Sequence, residues 1–246
     1  MCTVTIVPTN RQTVITMSRD ELIEREEDAP ILLNLSDDIR AWYPVDSVSG
    51  GTWCGINNYG LVLTILNRYQ ETNPHASVSR GKIISTLLIH TNIQSCLNTL
   101  EKLHLIDFMP FSLLLVQGCV LIKVVWNGVE MDVVVESYAK PFFITSSSIE
   151  LESVTAWRKR EFDNLIFTNM NISPQLLMNF HTTSSKDNPS YSVNMSRKGR
   201  HTKSITQFVV DNESINVEHF KRVQEQGGLS EFKLENSVYL KRTSAA

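Results

Sequence analysis

The sequence lacks paired cysteines. Its four cysteines are widely spaced, and no two of them form the CxxC pair that binds zinc or performs dithiol redox chemistry. Such isolated residues indicate separate thiols in a reducing compartment rather than a disulfide framework. The N-terminus also has no basic segment followed by a long apolar run, so no secretory signal is visible. We therefore expect a cytoplasmic protein.

Long apolar segments are missing as well. The most apolar stretch, FSLLLVQGCVLIKVVW at 111–126, is shorter than the ~20 residues that a membrane-spanning helix needs. It is interrupted by Gln117, Gly118 and Lys123 and is followed by Asn127-Gly128, a strong hairpin signal. We interpret this stretch as two buried strands and expect no membrane insertion.

An excess of charge of either sign is absent. The formal net charge is -3, which gives no global attraction to nucleic acid or anionic lipid, so we expect no nucleic-acid partner. The six histidines show no HExxH or related spacing, and we expect neither a metal nor another cofactor. With 42% hydrophobic and 20% charged residues, the composition is that of a globular protein and argues against disorder or a coiled coil.

The periodicity of the chain predicts its fold class. Strand-like runs, two consecutive helices capped by Ser79 and Ser95, more strands, two further helices and final strands follow one another. The second helix pair lies near 151–165 and after Ser173-Pro174, where serine can cap and proline suits the first turn. No break in composition marks a linker, and tight turns favour antiparallel pairing. We predict a single α+β domain over residues 1–246, a four-layer αββα sandwich of two antiparallel sheets flanked by helices.

Cys2 follows the initiator methionine directly. Methionine is normally removed before so small a residue, which would place a thiol and a free α-amine on Cys2. The reference pKa of an α-amine, about 7.7–8.0, suits general-base work near neutrality, so Cys2 could act as a nucleophile without another base. From its position alone, the alternative is a buried cysteine that starts a strand.

A charged run, SRDE at 18–21, comes after the second predicted strand. Arg19 could lower the pKa of the Cys2 thiol, and Asp20 could hold the α-ammonium group. The alternative for such a run is a solvated turn.

The segment GGTWCGINNYG at 50–60 precedes another apolar strand. Gly50-Gly51 permits backbone conformations that other residues avoid, the turn ending at Gly60 reverses the chain, and Asn67 ends the returning strand. A side-chain amide at a strand end is a suitable oxyanion donor. The alternative is a residue that only terminates the strand.

Together these segments resemble the NRDE family, whose eukaryotic members are called transport and Golgi organisation proteins. The matching segments are Met1-Cys2, SRDE, GGTWCGINNYG, Asn67-Arg68 and SRGKI at 79–83. The likeness is strongest up to SRGKI and weaker beyond it.

The resemblance implies the N-terminal nucleophile (Ntn) hydrolase fold, which choloylglycine hydrolases and penicillin V acylases share. It also implies a hydrolase that acts on a linear amide C–N bond through a thioester acyl-enzyme, with a small-molecule amide or acyl substrate. Carried over by residue, Cys2 matches the nucleophile, and Arg19 and Asp20 match the charged pair, which is more closely spaced here. Asn67 matches the strand-end asparagine that serves the oxyanion.

Two further positions are implied by the resemblance. A second hydrolase asparagine, expected after a strand near FFITSSS, falls on Ser146, whose shorter side chain could accept a hydrogen bond from the α-amine. A late catalytic arginine has no fixed register, and Arg200, His201 and Gln207 compete for it. We predict Ser146 and Arg200 as auxiliary or substrate-binding residues.

The resemblance also implies an alternative function. The same fold could serve as a non-catalytic protein that binds or traffics haem or a lipid-like acyl group, because a fold does not dictate a function. The sequence itself shows no haem motif and no signal for an oligomeric state.

Overall fold

The structure, a computed structural model, describes residues 2–224 and 230–243. Met1, whose removal is predicted above, lies outside them. The first nine strands are β1 (Cys2–Pro8), β2 (Thr13–Leu22), β3 (Glu27–Asn34), β4 (Arg40–Asp46), β5 (Cys54–Asn57), β6 (Val62–Asn67), β7 (Phe111–Gln117), β8 (Val120–Trp126) and β9 (Met131–Glu136). The remaining strands are β10 (Phe142–Ser146), β11 (Ser196–Arg197), β12 (Arg200–Val210), β13 (Ser214–Gln224) and β14 (Ser230–Lys241). The helices are α1 (Gly81–Leu87), α2 (Ile93–Leu100), α3 (Leu151–Thr168) and α4 (Pro174–His181), with a short 3-10 helix at Leu105–Asp107.

The chain divides into two compact units. The first unit comprises Met1–Arg25, Lys140–Asp211 and Asn216–Tyr239. The second comprises Glu26–Ala139, Asn212–Ile215 and Leu240–Ala246. Each unit contains one of the two sheets and two of the α-helices. The single domain expected from the sequence stays a prediction.

The first unit is built on a sheet in the order β10-β1-β2-β12-β13-β14, with β11 paired to β12. Helix α3 packs against β10, and α4 packs against β2 and β12. A buried apolar cluster joins the helices to one face of this sheet: Val7, Val14, Phe162, Leu177, Phe180 and Val193. The pairing of β12 with β2 contains one irregularity, a register shift between Thr202 and Ser204.

The second unit is built on a sheet in the order β3-β4-β5-β6-β7-β8-β9. Helix α1 packs against β5 and β6, and α2 packs against β7. A larger buried cluster, which includes Leu63, Leu87, Leu113 and Trp126, fills the space between helices and sheet. The stretch 111–126 forms β7 and β8, which confirms the interpretation as two strands. Of the helices in the described part of the chain, none is both long and apolar enough to cross a membrane.

The pairings of β1 with β10, of β2 with β1 and β12, and those between neighbours throughout the second sheet are antiparallel, which confirms the α+β class and the antiparallel sheets. The predicted α4 is also confirmed, because Ser173 accepts a hydrogen bond from Leu176 N at 3.1 Å and Pro174 occupies the first turn.

The two predicted caps of the first helix pair are wrong. The residue at the N-cap of α1 is Arg80, one position after Ser79. Helix α2 begins earlier than predicted, because the side chain of Asn92 accepts a hydrogen bond from Ser95 N at 2.9 Å. Ser95 therefore lies inside the first turn, where its backbone N–H is the group being capped.

The sequence pattern did not predict strands β3, β4, β11 and β13, and it placed the end of β2 too early. Strands β3 and β4 contain Pro30 and Pro44, which obscure a strand pattern. Strand β2 runs on to Leu22, so Arg19 and Asp20 lie within the strand rather than in a turn after it. The pairing with β12 extends the ladder through these charged residues.

Candidate active site

Cys2 is the first residue of β1 and lies between two strands of the first unit. Its ladder partners are Ser146 on β10 and Arg19 on β2. The backbone nitrogen of Cys2 donates a hydrogen bond to Ser146 Oγ at 3.1 Å. The contact expected between the Cys2 nitrogen and the Ser146 hydroxyl is therefore present in the structure. The catalytic roles of these residues stay predictions.

The Cys2 side chain is almost completely buried, with 8% exposed. Burial raises the pKa of the Cys2 thiol, and the nearby charge of Asp20 acts in the same direction. Arg19 and a hydrogen bond from the backbone of Asp20 lower the pKa without cancelling the effect of burial. A thiol in this environment is protonated at neutral pH and needs a base before it can attack a substrate.

Arg19 and Asp20 are brought beside Cys2, but their side chains leave opposite faces of β2. This follows from the alternation of side chains along a strand. Asp20 lies on the face that carries α3 and α4. The residue is buried there, with 2% of its surface exposed. Thr202 Oγ1 donates to Asp20 Oδ1 at 2.5 Å, and Arg158 Nη2 lies 3.3 Å from Asp20 Oδ2. The carboxylate is thus held by an ion pair and a hydroxyl.

Arg158 on α3 is fully buried beneath the start of β1. Its guanidinium donates to Thr3 Oγ1 at 2.7 Å, to Thr145 Oγ1 at 2.9 Å and to the carbonyl of Tyr191 at 3.1 Å. Thr3 and Thr145 are ladder partners next to Cys2 and Ser146. Arg158 therefore contacts the immediate neighbours of the candidate nucleophile.

A buried histidine continues the polar row along the same face of the sheet. His181 Nδ1 lies 2.6 Å from Ser18 Oγ, and Nε2 lies 2.9 Å from Thr5 Oγ1. Burial lowers the pKa of His181 to about 3, and the charge of Arg158 contributes. The imidazole is neutral at physiological pH and bridges β1 and β2.

Asn67, the predicted oxyanion donor, is the last residue of β6 in the second unit. It pairs with Phe111, and its side-chain nitrogen donates to the Tyr69 hydroxyl at 2.9 Å. Its role toward an oxyanion stays a prediction.

The three residues that compete for the late arginine position all lie on β12. Arg200 pairs with Leu22 and forms an ion pair with Glu21 at 3.1 Å, with 31% of its side chain exposed. Gln207 is buried and donates to Thr16 Oγ1 at 2.9 Å. His201 pairs with Glu21. Arg200 and Gln207 thus each have a polar partner within the first unit.

Metal-binding groups do not gather at this site. Within residues 2–224 and 230–243, no three His, Cys, Asp or Glu side chains lie close enough together to hold a metal ion. The chemistry that the arrangement offers is that of a thiol, an adjacent backbone nitrogen and buried hydrogen-bond donors.

The family model for Transport and Golgi organisation 2 matches residues 1–222. The chain belongs to this family. The match confirms the resemblance stated from the sequence. A search of curated protein sequences returned no match.

Solved structures similar to this family member have the Ntn hydrolase fold. A penicillin V acylase from Agrobacterium tumefaciens superposes with a TM-score of 0.55 at 12% identity, covering 90% of this chain and 86% of the other. A Caenorhabditis elegans orthologue of the N-acylethanolamine-hydrolyzing acid amidase has a TM-score of 0.56 at 10% identity and coverages of 84% and 92%. A variant of the conjugated bile acid hydrolase from Clostridium perfringens has 0.53 at 10% identity and coverages of 100% and 99%. The fold is therefore that of the Ntn hydrolases.

Sequence reasoning missed Arg158, although a signal was available. In α3, Val154, Arg158 and Phe162 recur every four residues and are all buried. A charged residue at a position that the helical period assigns to the buried face requires a buried partner. The partner Asp20 is distant in sequence, so the pattern alone would not have identified it.

Proposed function

We propose that this family member is an N-terminal-cysteine amidohydrolase that cleaves a linear amide bond in a small-molecule substrate. The observation that carries the proposal is the hydrogen bond from the Cys2 nitrogen to Ser146 Oγ at 3.1 Å. Once Met1 is removed, this nitrogen is an α-amine held beside its own thiol. The acylase, the amidase and the hydrolase named above share the fold and support the choice of reaction.

The first half of the proposed reaction forms an acyl-enzyme. The α-amine takes the proton of the Cys2 thiol, and the resulting thiolate attacks the substrate carbonyl. The tetrahedral intermediate collapses when the C–N bond breaks, and the α-ammonium group returns its proton to the leaving amine. A thioester on Cys2 remains. Water, deprotonated by the α-amine, then attacks the thioester and releases the acid, which restores the thiol.

The neighbours of Cys2 have distinct parts in this scheme. Arg19, opposite Cys2 on β2, favours the thiolate, as does the hydrogen bond from the backbone of Asp20. Backbone N–H groups and Asn67 are the proposed donors to the oxyanion, the latter on the resemblance alone.

The first test is the intact mass of the purified protein. We expect the mass to lack Met1, because the mechanism needs a free α-amine on Cys2. Retained Met1 in protein that hydrolyses amides would contradict the α-amine mechanism.

The second test compares turnover of a panel of N-acyl amides by the wild type and Cys2→Ala. We expect the substitution to lower kcat by about 10³-fold or more, because the nucleophile and its base act as a unit. Cys119→Ala is the matched control, since Cys119 is exposed and lies outside the site. Equal turnover by the wild type and Cys2→Ala would contradict the assignment of Cys2 as the nucleophile.

A further inference from the structure

Arg158 makes more hydrogen bonds than an ion pair with Asp20 requires. Its guanidinium has four partners, namely Thr3, Thr145, Tyr191 and Asp20. The side chain is completely buried, so these contacts are shielded from water. A rigid fork of five N–H donors is what allows a single arginine to reach partners in several directions.

One branch of this network ends on Cys2 itself. Thr145 Oγ1 accepts from Arg158 and donates to the Cys2 carbonyl at 3.0 Å. Thr145 has one hydroxyl proton, and that proton is used toward Cys2. The contact of 3.0 Å between the two threonine hydroxyls must therefore be donated by Thr3. Both Nη1 protons of Arg158 and the hydroxyl protons of Thr3 and Thr145 then each have one acceptor.

The partners of Arg158 also lie beside the remaining site residues. Thr145 immediately precedes Ser146, which accepts from the Cys2 nitrogen. Asp20 immediately follows Arg19, which pairs with Cys2. Arg158 thus touches the neighbour of each residue in the row Ser146, Cys2 and Arg19, and it does so from the face opposite to the Cys2 side chain.

We propose that Arg158 is a positioning residue, which through Thr145 and Thr3 fixes the backbone of Cys2 so that its nitrogen, its thiol and Ser146 keep their relative geometry. The catalytic consequence rests on the proposed hydrolase function, whereas the geometry of Cys2 does not. A gain in stability alone does not explain a buried arginine at this position, because a buried ion pair often stabilises a protein no more than apolar residues of the same volume. A misplacement of about 1 Å at a reacting group lowers a rate by about 10²-fold, which is the effect that the network prevents.

The experiment uses Thr145, because its substitution leaves the buried ion pair intact. Thr145→Val removes the hydroxyl but keeps the β-branched shape, and Thr145→Ser is the matched control that keeps the hydroxyl. Both are made in a Cys119→Ser background so that the exposed thiol does not react. Two quantities are measured in protein with Met1 removed: kcat and KM for an amide substrate, and the rate of Cys2 alkylation by iodoacetamide as a function of pH.

We expect Thr145→Val to lower kcat by about 10-fold to 10²-fold with KM nearly unchanged, because the loss concerns geometry at the reacting group. The midpoint of the alkylation rate against pH should move in this variant. Thr145→Ser should keep the wild-type values of both quantities. A merely structural role would change the melting temperature and leave the pH midpoint unmoved.

Two results would overturn the proposal. One is an alkylation profile of Thr145→Val that coincides with that of Thr145→Ser. The other is a wild-type profile in folded Arg158→Lys, since lysine keeps the charge for Asp20 but has no planar fork. Should no protein in the series hydrolyse an amide, the proposed function fails, and the alkylation profiles still decide whether Arg158 positions Cys2.

Discussion

At the scale of single residues, the site of this family member is a set of short contacts around Cys2. The family resemblance, rather than the strand pattern, named Cys2, Ser146, Arg19 and Asp20 together. Ser146 and Arg19 are the ladder partners of Cys2 in the structure, and the roles of all four stay predictions. The sequence could not supply Arg158, whose partners come from β1, β10 and β2. Contacts between residues this far apart depend on strand order, which hydrophobic periodicity does not contain.

His181 should make the protein sensitive to acid. Its pKa is lowered from the ordinary value of 6.5 to about 3 by burial and by Arg158, so the folded state keeps the imidazole neutral while the unfolded state binds a proton. The contribution of His181 to the free energy of unfolding is therefore fully present above about pH 6.5. It decreases as the pH is lowered from 6.5 to about 3, by up to about 1.4 kcal/mol per pH unit.

The measurement is urea unfolding of the wild type and His181→Gln at several pH values. We expect the variant to be less stable at pH 7.5, because contacts with Thr5 and Ser18 change. The difference in the free energy of unfolding between the wild type and the variant should shrink by up to about 2 kcal/mol from pH 6.5 to pH 5, because glutamine does not titrate. The exposed His75→Gln is the control. A stability difference that is constant over this pH range would contradict the prediction.

At the scale of elements, two segments of the second unit, GGTW at 50–53 and SRGKI at 79–83, meet through their glycines. A Cβ on Gly51 would lie 2.9 Å from the Gly81 backbone, and one on Gly81 would lie 2.6 Å from Thr52 N. Thr52 N also donates to Gly81 O at 3.2 Å. The GGTW segment and the start of α1 in SRGKI therefore pack backbone against backbone, which explains why both segments contain glycine.

Substituting either glycine should destabilise the protein although neither has a positive φ. Alanine at a helix start would ordinarily be neutral or stabilising by up to about 1 kcal/mol. For Gly81→Ala we expect instead a loss of about 2 kcal/mol or more, since the contact is with backbone that cannot move aside. Gly118→Ala is the control, because its φ of +57 costs about 1–2 kcal/mol but nothing lies within 4 Å. Thermal unfolding measures both, and a Gly81→Ala protein as stable as the wild type would show that α1 shifts freely.

At the scale of the whole molecule, the fold class could be predicted because turns and hairpins are local. The α+β class and the antiparallel sheets follow from Asn127-Gly128, Gly60 and alternating apolar runs, and the structure confirms them. Two of the unpredicted strands, β3 and β4, contain proline, which obscures a strand pattern. The cytoplasmic location stays a prediction.

The cysteines provide a test of the packing as a whole. All four are free thiols; Cys119 is exposed and the others are buried. Burial also raises the pKa of Cys96 to about 12, which removes its reactive thiolate. We expect Ellman's reagent to react rapidly with one thiol of the native protein, more slowly with Cys2, and with all four after denaturation. Loss of the fast phase in Cys119→Ser confirms its origin, and several fast thiols in the wild type would contradict the packing.

The irregularity in β12 has a consequence for comparing relatives. On the N-terminal side of the irregularity, Thr202 pairs with Asp20. On its C-terminal side, Gln207 pairs with Thr16, and both Asp20 and Thr16 lie on the helix-bearing face. Even positions face the helices upstream of Lys203 and odd positions do so downstream. A relative without this extra residue must carry an equivalent side chain one position earlier to present it on the same face. Counting residues by twos along β12 therefore does not keep a side chain on one face of the sheet across Lys203.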